Sequence, residues 1–169
     1  MADNDILQYF QDEAMELFEE LNDLVEDIED QEEYPIAMLE DFAQKIDRIM
    51  GSAETLHMND PELAFVDSIA IICKLCKKIG YNARNFENPK LLPIYAAFWG
   101  DCLEVLEELT KSIEEPHKLK DQTASFIRTL QGRLEWLLQK LQENGQIRSG
   151  PEEAVSQDDI DALISSLAG

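Results

Sequence analysis

Basic side chains are scarce in this sequence. It has 14 Lys and Arg against 36 Asp and Glu, a net charge of -22, and no base before Lys45. Contacts to phosphate are made by Lys and Arg, so this balance argues against non-specific binding to nucleic acid or to an anionic membrane. It suits a partner with a basic surface instead. Cysteine is also rare, with Cys73, Cys76 and Cys102 the full set, and the only histidines are His57 and His117. Cys73 and Cys76 have the C-x-x-C spacing of a redox pair or of half a zinc site. Ile71, Ile72, Leu75 and Ile79 surround them at helical spacing, however, and the other possible ligands are distant in sequence. The pair reads as small, buried apolar residues, with no metal or cofactor expected. No basic leader opens the chain and the thiols are few, which points to a reducing cytoplasm. No apolar run approaches the roughly 20 residues of a membrane span. Strand-like alternation bounded by turns is missing as well.

The sequence is rich in helix-period apolar stripes. At 169 residues it is long enough for one domain with a sizeable core and a tail. Residues 5–30 place Ile6, Phe10, Ala14, Leu17, Phe18, Leu21, Leu24, Val25 and Ile28 on one face, with acids on the other. That acidic face reads as solvated or as a dock for a basic partner. Pro35 closes the connection that follows. A second helix is predicted over 36–58, with Asp47 at the edge of its buried face. Asp60 and Pro61 supply start chemistry for a third helix, predicted to end at Gly80. After an Asn-rich loop over 81–89, a fourth helix is predicted over 90–115 and a fifth over 117–144. Short connections make neighbours antiparallel. The expected fold is all-α: a bundle of four or five helices over 1–144, a flexible linker over 145–155, and a short helix over 156–169.

Gly51 stands in the middle of the second helix, where glycine costs about 0.5–1 kcal/mol relative to alanine. A close backbone neighbour or room for a docking partner would compensate. The stretch Asp47-Arg48-Ile49-Met50-Gly51-Ser52-Ala53 resembles the His-x-x-Lys-Gly-Ser-Ala signature of histidine-phosphotransfer (HPt) domains, which are helical bundles. Aligned on Gly51, Ser52 and Ala53, it has Asp47 at the phospho-acceptor histidine and Met50 at the lysine. The resemblance implies an HPt-like bundle that has lost its phosphoryl carrier while keeping the docking face. His117 and Lys120 repeat His-x-x-Lys without the Gly-Ser-Ala. His57 reads as a helix-terminal residue.

The segment Ser156-Gln157-Asp158-Asp159-Ile160-Asp161-Ala162-Leu163-Ile164 is similar to the segment of flagellar motor switch proteins that binds CheY, a single-domain chemotaxis response regulator. Ser156 is a fitting N-cap with Asp159 three residues on. Ile160, Leu163, Ile164 and Leu167 form one apolar stripe, and Asp158, Asp159 and Asp161 lie off it. The resemblance implies that a CheY-like response regulator is the partner, taken by helix-in-groove recognition. The alternative is a sixth helix docked on its own bundle.

A bundle tethered to such a helix also resembles the chemotaxis phosphatase CheZ. Enzymes of that kind place an amide and an acid beside an aspartyl phosphate to hold the attacking water. Gln44 and Asp47 are the candidate catalytic pair, since residues three apart share a helix face. The protein itself would need no cofactor, because any magnesium would belong to the response regulator. Plain adaptor, phosphatase and helical scaffold are the three functional expectations.

Overall fold

The computed structural model describes residues 4–119, 122–143 and 158. Among them are five α-helices and two 3₁₀ turns, with no strand: α1 (Asn4–Glu29), α2 (Ile36–Asn59), α3 (Val66–Asn85), α4 (Leu92–Lys111) and α5 (Thr123–Glu143), with the turns at Pro89–Leu91 and Pro116–Leu119. The all-α expectation holds.

The first four helices close a ring in which α1 touches α2 and α4, and α3 touches the same two. α5 packs outside this ring, against α4. Cross-helix ion pairs give the direction. Lys45 and Arg48 of α2 meet Glu20 and Glu13 of α1, while Glu40 and Asp47 of α2 meet Arg84 and Lys77 of α3. Ascending numbers on one helix pair with descending numbers on the next, so these neighbours run antiparallel. The core is continuous, and Phe18, Leu21, Phe42, Ile46, Ile69, Tyr95 and Trp99 are excluded from water. Side chains of this size contribute roughly 1.5–3 kcal/mol each on full burial.

Helix ends depart from expectation in three places. Asp60 and Pro61 do not start α3: Asp60 accepts from the Glu62 amide, its carbonyl accepts from Leu63, and the helix begins at Val66. Phe65 precedes it at φ 68, a left-handed conformation rare for a bulky residue, while its ring packs partly buried against the core. Gly80 does not end α3, which continues to Asn85. The added turn is held by tertiary contacts: Ala83 is buried, the Tyr34 hydroxyl donates to the Ala83 carbonyl, and Asn82 donates to the Tyr95 hydroxyl at 2.9 Å. Those contacts outweigh the weak glycine preference. Finally, α4 and α5 are shorter than predicted, and His117 lies in the turn before α5 rather than in it.

The stripe on α1 also shifts. Leu7 is buried, whereas Ile6 is 49% exposed and faces outward with Tyr9, which is 67% exposed.

Candidate functional site

α2 contributes a solvent-facing ridge, because its apolar positions Leu39, Phe42, Ile46, Ile49, Ala53 and Leu56 occupy the opposite side. Glu40, Gln44, Asp47 and Gly51 follow one another along that ridge at intervals of three or four residues, and all four are exposed. Glu40 Oε1 lies 3.3 Å from Arg84 and Asp47 Oδ1 lies 2.8 Å from Lys77 Nζ, both across to α3. Gln44, between them, makes no side-chain hydrogen bond among the described residues. Gln44 and Asp47 are therefore brought to one open face.

The stretch that resembles the phosphotransfer signature divides by exposure. Asp47 and Gly51 face water, Met50 and Ser52 are half-buried, and Ala53 is fully buried. Met50 packs against the core, so its position is partly turned inward. The cation beside Asp47 comes from Lys77 of α3, a residue not singled out in the sequence because it is distant along the chain. Gly51 has open space around it: a Cβ built there meets nothing within 4 Å. Close backbone approach does not explain the glycine, and the Thr55 hydroxyl donates to its carbonyl at 2.9 Å.

A groove of about 510 Å³ runs beside this ridge between α1 and α2. Ile6, Tyr9 and Glu13 line it from α1, and Asp47, Arg48, Gly51, Ser52 and Thr55 from α2. Arg48 spans it to Glu13 at 2.5 Å. Sequence reasoning passed over Tyr9; the available signal was an aromatic residue set among acids on the polar face.

Cys73, Cys76 and Cys102 are free and buried. Burial pushes the Cys73 thiol well above its ordinary value, and Cys76 is raised by its hydrogen bond with Cys102 and then by burial. No group of three or more His, Cys, Asp or Glu is placed to hold a metal ion among the described residues. His57 sits half-buried in the last turn of α2, its Nδ1 without a hydrogen-bond partner among the described residues. No described helix is long and apolar enough to cross a membrane. Of the C-terminal residues, Asp158 is exposed and helical, while Ser156, Asp159, Ile160, Asp161, Leu163, Ile164 and Leu167 lie outside the described residues, as does Lys120.

Compared with known proteins, the chain matches no family model, no curated protein and no solved structure.

Proposed function

We propose that this is a cytoplasmic signalling protein of a bacterial chemotaxis or two-component system that binds a CheY-like response regulator through residues 156–167. The bundle is its HPt-like body. Asp47 in place of histidine leaves it unable to carry phosphate on an imidazole, and Met50 removes the motif's own cation. The observation that supports this reading is the exposure of Asp47 and Gly51 together on the outer ridge of a bundle helix. The resemblance of the C-terminal segment supplies the partner. An apolar stripe flanked by acids suits an apolar groove rimmed by bases, and a tether holds the captured regulator at high local concentration beside the ridge.

Calorimetric titration of a CheY-like regulator, with and without its aspartyl phosphate, tests this. Leu163→Ala with Ile164→Ala is expected to abolish binding; unchanged affinity overturns the reading.

A second reading is favoured by Gln44. An amide with no partner among the described residues, three residues from Asp47 on the same open face, is suitably placed to hold a water against a phospho-aspartate. In that reading the protein is a CheZ-like phosphatase. Gln44 orients the water, Asp47 accepts its proton, and the tether brings the substrate to them.

A further inference from the structure

We infer that the groove between the first half of α1 and the second half of α2 is a docking site for a basic amphipathic helix carried by another protein. This does not rest on the reading of the C-terminal segment. Ile6 and Tyr9 leave apolar surface in water along one wall, while buried Phe10 and Leu56 form the floor. The Ile6 and Tyr9 side chains stand three residues apart on one face of α1, beside the groove. Gly51 and Thr55 stand on the other wall, and at Gly51 no side chain rises to fill the groove. The α2 backbone is open there to incoming side chains. A trough between two helices can take a third helix whose apolar anchors fall at i, i+3, i+4 and i+7.

Charge selects the occupant. α1 carries ten acids and no base. Of the acids that line the groove, Glu13 pairs with Arg48 and Asp47 with Lys77, but Asp12 and Glu16 on α1 are exposed, and among the described residues Asp12 accepts only a neutral amide, that of Gln8 at 2.9 Å. A second copy of the chain would bring the same ten acids into the contact. Residues 156–167 would bring Asp158, Asp159 and Asp161 with no base. Like charges disfavour both, whereas a helix with Lys or Arg beside its apolar stripe gains on both counts.

The test uses the full chain and an 18-residue helical peptide of Leu and Lys in amphipathic order, followed by fluorescence anisotropy. A matched Leu and Glu peptide is the control. The Leu and Lys peptide is expected to bind, and Tyr9→Ser and Gly51→Leu are each expected to weaken it at least tenfold. Gly51→Leu replaces an exposed mid-helix glycine with a strong helix former, so its thermal midpoint should not fall and lost binding cannot be ascribed to unfolding. Leu163→Ala with Ile164→Ala should leave the peptide affinity unchanged. Equal binding to wild type and Gly51→Leu, equal binding of the Leu and Glu peptide, or no binding at all overturns the inference. So does a dimer in sedimentation that Gly51→Leu dissociates, since the groove would then belong to a second copy.

Discussion

Asp47 Oδ1 and Lys77 Nζ lie 2.8 Å apart, joining α2 to α3 across the open face of the bundle. Both side chains are about half exposed, at 52% and 48%. The cation absent from Met50 in the helical motif is thus provided from the neighbouring helix. Because the pair is exposed, solvent screens it and its contribution to stability is small. Lys77→Gln is expected to change unfolding free energy by under about 1 kcal/mol in urea titration. A loss beyond about 2 kcal/mol would mean that the pair supports the fold.

Release of inorganic phosphate from a phosphorylated CheY-like regulator tests the phosphatase reading. Acceleration by the protein should fall on the order of 100-fold in Gln44→Ala with Asp47→Ala, the scale of a positioned proton-transfer group. No acceleration, or acceleration that the double variant retains, removes the phosphatase while leaving binding by the C-terminal segment standing.

Gly51→Ala should stabilise the protein by about 0.5–1 kcal/mol, because the new methyl group meets nothing and the unfolded chain loses freedom. A rise in the urea midpoint at constant slope is the expected result. A fall would show that the glycine serves the packing of the bundle.

Trp99 is fully buried, with its ring centroid 4.4 Å from that of Phe42 and 5.7 Å from that of Tyr95. Trp99→Ala should cost about 3–5 kcal/mol through the cavity it leaves. Its indole N–H has no partner among the described residues, so Trp99→Phe breaks no hydrogen bond there and should cost well under the alanine variant. Equal losses in the two variants would point to an unseen polar partner.

Alkaline pH should weaken the fold. The Cys73 and Cys76 thiols are raised in the folded state, so as pH climbs past the ordinary thiol value of roughly 8.5 the unfolded chain releases protons first and stability falls. Tyr95, pushed up to about 12 by burial, adds a loss of the same sign above the ordinary phenol value of roughly 10. Below those values the stabilisation is complete. Urea midpoints at about pH 7 and 9.5 should diverge, and Cys73→Ala with Cys76→Ala should narrow the gap. A thiol reagent should label none of the three cysteines before unfolding; rapid labelling at neutral pH would contradict their burial.

The helices were legible in the sequence alone, because a 3.6-residue apolar period specifies the element and, to within a residue, the face it buries. It also placed Asp47 at the margin of the core and Gly51 at a position where a side chain had been left out. It led to buried thiols at Cys73 and Cys76 through their apolar neighbours. Packing between helices settles what local pattern leaves free. α3 runs through Gly80 because Tyr34 and Tyr95 bond its last turn, contacts formed with residues far along the chain. Leu7 rather than Ile6 enters the core, a choice between adjacent apolar residues that periodicity alone leaves open. Lys77 reaches Asp47 across 30 residues of sequence, and Gly51 proves open rather than closely packed. Periodicity records which face of a helix turns inward. Only the arrangement of neighbouring helices decides which charges meet and which surface stays uncovered.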